Sequence, residues 1–285
     1  MYSTTTSLKV RQLRSKKAER ISALALSASV PSQIYLNTTT GTIEKWDWTE
    51  GMKLGSWKLS SSIYFLATSK QGVDGGGGFT SMRTMIAGDA EDKAQSARDL
   101  VYTVDKKDHG PWILSAHLLM GEKEIAKTEV VTLLKNKEPI SSFNVAEDGQ
   151  VIVATSERKL IVGTSNTPGP ANLRELSYVW RILECPEWIS SVDVRMRPVG
   201  NLDKQAKTKT LLRDSLDIAV GGLKGSIHVY EDLLKKLFRR EQAASKNKVV
   251  EDITSRRLHW HRSSVLAVKW SLDGKRALLS PIYIH

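Results

Sequence analysis

The feature of this sequence that most constrains its fold is an internal repeat. Five segments share apolar residues at their first, fourth and sixth positions, except that Thr68 occupies the sixth position of the second segment. Three of the segments read ISALAL, ISSFNV and ISSVDV. The fourth and sixth positions lie on one face of a β-strand, because side chains alternate with a period of two. The repeat therefore predicts a series of similar β-sheet units, whose first residues are Ile21, Ile63, Ile140, Ile189 and Val265.

The spacing of these segments predicts units of four strands. Ile21 and Ile63 are 42 residues apart and Ile140 and Ile189 are 49 apart, whereas the other two intervals are 77 and 76 residues. Each long interval contains polar insertions, and without them about 40–50 residues remain per unit, which is the period of a propeller blade. We predict an all-β, incomplete β-propeller of about four blades plus partial blades, with a short basic helix and loop insertion. The insertions are near 70–97, 198–213 and 239–256.

The helix is predicted from YEDLLKKLFRREQAA, which begins at Tyr230. Leu233, Leu234, Leu237 and Phe238 have helical spacing, and acidic residues precede basic ones as the helix dipole favours.

Basic charge is concentrated at the two ends of the chain. The net charge is +11, with +5 on residues 1–20, +10 on 195–285 and −4 on 21–194. Concentrated basic charge is typical of proteins that bind a polyanion such as RNA, although solvated basic loops and docking on acidic protein surfaces remain alternatives. The candidate contacts form two groups: Lys235, Lys236, Arg239, Arg240, Arg256, Arg257 and Arg262, and then Lys9, Arg11, Arg14, Lys16 and Lys17.

No pattern in the sequence predicts catalysis, a metal site or a cofactor. Gly75–Gly78 lacks the Gly-Lys-Ser/Thr ending of a phosphate loop, and His259 and His261 have no cysteine near them in sequence. Cys185 has no basic neighbour and is predicted to be a buried structural thiol, which suits a reducing compartment. The longest apolar run, Ile21–Val30, is about half the length of a membrane span. We therefore expect a non-enzymatic protein with no membrane segment and no small-molecule substrate.

Two strings resemble the WD-repeat family. GTIEKWDW (Gly41–Trp48) resembles the end of the third strand of a WD repeat, and SRRLHWHRSSVLAVKWSLDGKRALLS (Ser255–Ser280) resembles the start of the next repeat. GLKGSIHVYE (Gly222–Glu231) is a degenerate copy. The resemblance implies structural roles for Gly41, Trp46, Asp47, Tyr230, His261, Trp270, Asp273 and Gly274. Trp46, Trp180 and Trp270 lie within apolar strand patterns, so they are predicted to be core residues and not platforms for nucleic-acid bases.

A closer resemblance is to the tandem-propeller subunits of the early, transcription-coupled UTP subcomplex of the small-subunit processome. It is carried by Tyr2–Leu13, Arg20–Gly51 and Arg257–Ser280. It implies a non-enzymatic scaffold in ribosome biogenesis that acts in precursor rRNA processing and supports RNA polymerase I transcription. The implied partners are other UTP subunits, precursor rRNA and box C/D guide RNA, in the nucleus and nucleolus. The alternative is a WD-repeat adaptor that binds partner peptides in a chromatin or ubiquitin-pathway complex.

The resemblance also predicts the boundaries of the blades, and the chain departs from the family pattern at several positions. Thr40 and Lys224 stand where a WD repeat often has a turn aspartate, and both ends resemble cut blades. We therefore expect a truncated fragment that is poorly soluble in isolation, because its strand edges would be exposed. The predicted segments are the basic end of a preceding blade, four blades and the start of a truncated blade: 1–19, 20–60, 61–138, 139–187, 188–258 and 259–285.

Overall fold

The computed structural model describes most of the repeat units. The described residues are 20–59, 63–70, 99–106, 110–120, 127–145, 149–165, 173–196, 216–239, 249–250, 253–259, 262–270 and 277–281. Segment 1–19 and the greater part of each predicted insertion lie outside these ranges.

The first repeat forms a four-stranded antiparallel sheet in which neighbours in sequence are neighbours in space. Its strands are β1 (Ile21–Leu26), β2 (Gln33–Thr38), β3 (Thr42–Asp47) and β4 (Met52–Lys58). The second repeat has the same order, with β5 (Ile63–Lys70), β6 (Asp99–Lys106), β7 (Trp112–Met120) and β8 (Lys127–Asn136). Short turns join the strands of the first repeat, whereas β5 and β6 are joined by residues 71–98, which contain the predicted insertion.

The third and fourth repeats repeat this arrangement. The third sheet contains β9 (Ser142–Val145), β10 (Val151–Ser156), β11 (Lys159–Thr164) and β12 (Val179–Glu184). The fourth contains β13 (Ile189–Met196), β14 (Leu216–Gly222), β15 (Ser226–Tyr230) and β17 (Arg256–His259). A hairpin of β18 (Val265–Trp270) and β19 (Ala277–Pro281) follows.

Three short elements accompany these sheets in the described ranges. The helix α1 (Leu233–Arg239) follows β15, and a 3-10 turn covers Leu173–Glu175. Strand β16 (Val249–Val250) pairs in parallel with β12, so the basic insertion adds a strand to the third sheet.

The repeat in the sequence corresponds to a repeated β-bulge. Strands β1, β5, β13 and β18 each shift register directly after the first residue of the repeat. In two of the Ile-Ser copies the serine at the bulge contacts the next sheet. Ser22 Oγ donates to the Ile63 carbonyl at 3.3 Å, and Ser190 Oγ donates to the Val265 carbonyl at 2.6 Å. Since a bulge re-aims a side chain, the Ile-Ser pair links consecutive sheets.

Four consecutive meander sheets confirm the predicted fold class. The protein is all-β, with four blades and a further hairpin of a WD-repeat-like β-propeller. The chain forms two compact units, one with the first two sheets and one with the third and fourth sheets and the hairpin. In the second unit the core includes Leu160, Leu183, Ile218 and Tyr230, and α1 buries Leu233, Leu234 and Leu237 against it.

Two boundaries differ from those expected. Tyr230 ends β15, so the helix begins at Leu233, after Asp232 with φ 52°. Strand β17 extends to His259, one residue into the segment predicted to open a truncated blade. The pairing of His259 with Ser226 explains this, because the outermost strand of the fourth sheet continues as far as its partner strand does.

Candidate nucleic-acid interface

Four of the predicted RNA contacts have described side chains, and all four are exposed. Arg256 and Arg257 lie on β17, Lys236 lies on α1, and Arg262 precedes β18. Lys235 and Arg239 also lie in α1, although their side chains are not among those described. The remaining candidates fall outside the described residues: Arg240, Lys9, Arg11, Arg14, Lys16 and Lys17.

The arginine pair occupies the outermost strand of the fourth sheet. Arg256 pairs with Val229 and Arg257 with His228 across β15, and the Arg257 Nε donates to Ser226 Oγ at 3.2 Å. Neighbouring residues of a strand face opposite sides, so the two guanidinium groups flank this edge. Such charges also prevent edge-to-edge association of sheets, which is a structural role compatible with phosphate binding.

Gly41, Trp46 and Asp47 form the turn and strand of the first sheet. Gly41 has φ 77° in the turn between β2 and β3, a conformation that favours glycine. Trp46 is buried with Ile34, and its Nε1 donates to a Glu44 oxygen at 2.9 Å. Asp47 accepts from the Thr49 hydroxyl and from two backbone N–H groups, which lowers its pKa to about 2. These contacts are structural.

The described repeat residues of the second unit also contact protein. Tyr230 is fully buried, and its hydroxyl donates to Cys185 Sγ at 3.4 Å; burial, with the nearby thiol, raises the pKa of Tyr230. Trp270 lies beneath the Arg195 guanidinium, 4.7 Å from the ring centroid. His261, Asp273 and Gly274 lie outside the described residues.

Glu187 holds the turn in which Lys224 replaces the expected aspartate. The Lys224 N–H donates to Glu187 Oε2 at 2.8 Å, and His228 Nε2 lies 3.4 Å from Glu187 Oε1. Burial opposes ionisation of Glu187, but hydrogen bonds from Ser226, Lys224 and His228 outweigh it and lower the pKa of the carboxyl. Sequence analysis missed this residue, since the carboxylate comes from the segment before β13 and not from the turn itself.

Replacing Glu187 with alanine is expected to reduce the free energy of unfolding of the second unit by about 2 kcal/mol. Three hydrogen bonds are lost, but the cost of burying the carboxylate is also removed, so the two effects offset in part. Urea denaturation measures the change. Glu184→Ala is the matched control, because Glu184 is exposed and its ion pair with Arg158 spans 3.6 Å. Equal losses in the two variants would contradict this role of Glu187.

Asp193 joins β9, β13 and β18, which are the first, inner strands of three consecutive sheets in the second unit. One carboxylate oxygen accepts from Asn144 Nδ2 at 2.8 Å and from Lys269 Nζ at 3.0 Å, and the other accepts from the Trp270 N–H at 2.8 Å. In the first unit Asp99, the first residue of β6, accepts from Ser27, Ser29 and Tyr35 of the first repeat. Buried carboxylates of this kind fix adjacent sheets relative to each other.

A cavity of about 360 Å³ lies between the first two sheets beside β8. Its lining includes Thr103, Ser115, His117 and Thr128. The His117 Nε2 lies 2.8 Å from the Thr103 hydroxyl, while Nδ1 has no hydrogen-bond partner within the described part of the chain. Burial lowers the pKa of His117 to about 4, so the ring is neutral at physiological pH.

The described residues contain no cluster of histidine, cysteine and carboxylate side chains that could hold a metal ion. Cys185 is buried, and desolvation raises its pKa to about 11, so its thiolate is scarce at neutral pH. Within the same residues, no helix has the length and apolar character needed to cross a membrane.

The sheets described above define the protein as a WD-repeat-like β-propeller. Neither a protein-family model nor a curated protein matches its sequence. Among solved structures, the β-propeller domain of Cps50 (Swd1) from Myceliophteria thermophila is similar to it, with 10% sequence identity and a TM-score of 0.49 over 99% of this chain and 85% of that chain. A likeness at this identity says nothing about function.

Proposed function

We propose that this chain is a non-enzymatic scaffold of ribosome biogenesis that contacts partner subunits and the backbone of precursor rRNA. The observation that carries the RNA contact is the exposed pair Arg256 and Arg257 on the outermost strand of the fourth sheet. Guanidinium groups match phosphate geometry and remain charged at all physiological pH values. The region 195–285 around this pair has a net charge of +10.

The finer biological assignment is supported by the sequence resemblance. Arg20–Gly51 and Arg257–Ser280 resemble UTP subunits, which implies a role in precursor rRNA processing, small-subunit assembly and RNA polymerase I transcription. On this proposal the chain associates with other UTP subunits, precursor rRNA and box C/D guide RNA in the nucleolus. Affinity purification with mass spectrometry should recover UTP subunits, and a fluorescent fusion should localise to the nucleolus. Recovery of chromatin or ubiquitin-pathway complexes instead would favour the adaptor function.

Reversing the charge of both Arg256 and Arg257 to glutamate is expected to lower affinity for single-stranded precursor rRNA about tenfold or more at moderate salt. The slope of log affinity against log salt should become shallower by about 1.4, because each single-strand phosphate contact contributes about 0.7. Fluorescence anisotropy with a labelled precursor rRNA fragment, repeated over a series of salt concentrations, measures both quantities.

The matched control reverses two exposed lysines elsewhere, Lys135→Glu together with Lys137→Glu. It changes net charge by the same amount, so an equal loss in both double variants would contradict a specific site at β17. An affinity that does not depend on salt would exclude phosphate contact altogether. Loss of co-purifying subunits with unchanged RNA affinity would instead assign the arginine pair to docking on an acidic protein surface.

A further inference from the structure

Trp188 differs from the other described tryptophans in its exposure. Its side chain is 51% exposed, whereas Trp46 and Trp57 are only 6% and 4% exposed. No other described tryptophan is exposed. Trp180, by comparison, packs over the backbone of Gly163, where an added Cβ would lie 2.5 Å from the ring. Single exposed apolar side chains are common on protein surfaces, so a binding role for Trp188 depends on the groups that surround it.

The backbone that carries Trp188 is held on both sides. The Leu223 N–H donates to the Trp188 carbonyl at 2.9 Å, and the Ile189 N–H donates to the Glu157 carbonyl at 2.8 Å. The preceding residue, Glu187, is the buried carboxylate that holds the Lys224 turn. The indole is therefore presented by a fixed segment, which reduces the entropy lost when a ligand binds.

Two exposed cations lie at the same end of the fourth sheet. Lys224 follows Leu223 in the turn that contacts the Trp188 backbone. Arg262 precedes Val265 by three residues, and the Val265 carbonyl accepts from Ser190 Oγ, two residues after Trp188. Within the described residues neither cation forms an ion pair.

Two carboxylates close to Trp188 in sequence have contacts of their own. Glu184 lies 3.6 Å from Arg158, and Glu187 is buried, where its carboxylate accepts from the Lys224 N–H. The exposed side chains around Trp188 therefore include two cations beside an aromatic face.

We infer that Trp188 is a stacking platform for an unpaired base of single-stranded RNA, with Lys224 and Arg262 contacting the adjacent phosphates. An aromatic face beside a basic surface is the arrangement that binds single strands with little sequence preference. This inference rests on the proposed RNA-binding function and adds a second contact of a different chemistry. The contact inferred for Trp188 is with a base, whereas the arginine pair on β17 is proposed to contact phosphate.

The test uses the full chain and two labelled probes, a short oligouridylate and an oligomer of the same length with abasic sites. Trp188→Ala is expected to weaken oligouridylate binding about 5- to 150-fold, the range for loss of one stacked base. Binding of the abasic oligomer should not change, because it offers phosphates without bases. Trp188→Phe should retain most of the affinity, and Leu223→Ala, which removes an exposed apolar neighbour, should leave it unchanged.

The outcomes separate this inference from the proposed function. If Trp188→Ala binds oligouridylate as the unaltered protein does while the Arg256/Arg257 double variant is weakened, the stacking site is wrong and the phosphate site stands. If the unaltered protein binds neither probe, both are wrong. If Trp188→Ala and Leu223→Ala lose co-purifying subunits but keep RNA affinity, the surface is a protein-docking site and the inference is overturned.

Discussion

Replacing Asp193 with alanine is expected to lower the free energy of unfolding of the second unit by about 3 kcal/mol. The carboxylate accepts hydrogen bonds from strands on both sides of its own, through Asn144, Lys269 and the Trp270 N–H. Hydrogen bonds to a charged group contribute about 1.5–3 kcal/mol each, and a buried donor left without a partner adds a desolvation penalty. Urea denaturation, with hydrogen exchange of β9, β13 and β18 peptides, measures the loss.

Two further variants identify the source of this loss. Lys269→Ala removes one partner whose side chain is 66% exposed, so it should cost less than about 1 kcal/mol. Asp193→Asn keeps one acceptor and should fall between the two. If Lys269→Ala is as destabilising as Asp193→Ala, the exposed ion pair, and not the connection between inner strands, is the important contact.

Acidification is expected to destabilise the first unit through His117. Burial lowers the pKa of this ring from 6.5 to about 4, so below pH 6.5 the unfolded chain binds a proton that the folded chain does not. The stability due to neutral His117 is therefore complete above pH 6.5 and is lost as the pH falls to about 4. At about 1.36 kcal/mol per pKa unit, the loss is about 3 kcal/mol.

The variant His117→Gln isolates this contribution from other titrating groups. It removes the ionisable ring, so its stability should fall less than that of the unaltered protein between pH 7 and pH 4. Urea denaturation at a series of pH values, followed by hydrogen exchange of peptides from β6 and β7, gives the difference. Parallel pH profiles for the two proteins would show that the protonation of His117 does not limit stability.

These two sites bear on the proposed scaffold function, because a scaffold must present its surfaces in fixed positions. Asp193 connects the inner strands of the unit that carries β17 and Trp188. The Asp193→Ala variant should therefore weaken RNA binding mainly through partial unfolding. Adding stabilising osmolyte would restore binding in that variant but not in Arg256/Arg257 or Trp188 variants, where the contacts themselves are missing.

Much of the fold could be predicted from local patterns in the sequence. The strings QIYLNT and TIEKWD lie on either side of Thr39, Thr40 and Gly41. They form β2 and β3, which pair as a hairpin. A strand and its turn depend on residues that are close in the chain, so their signal is contained in a short window. The helix was predicted for the same reason, although it begins at Leu233 and not at Tyr230.

The contacts between sheets could not be predicted in this way. Asp193 and Trp270 are 77 residues apart, and nothing near either position indicates that they meet. Glu187 likewise reaches a turn 37 residues later. Strand β16 joins the third sheet although it lies between two strands of the fourth, because backbone pairing has no side-chain signature in so short a segment.

The candidate RNA site shows the same division. The sequence identified the basic residues of β17 by their charge, since charge is a property of each residue alone. It did not single out Trp188, because an exposed and a buried tryptophan are identical in sequence, and only the packing of the surrounding strands leaves this one uncovered. The sequence by itself determined the repeat, the strands and the location of the charge. The tertiary structure decided which side chains join the blades and which remain exposed, because burial depends on residues far apart in the chain.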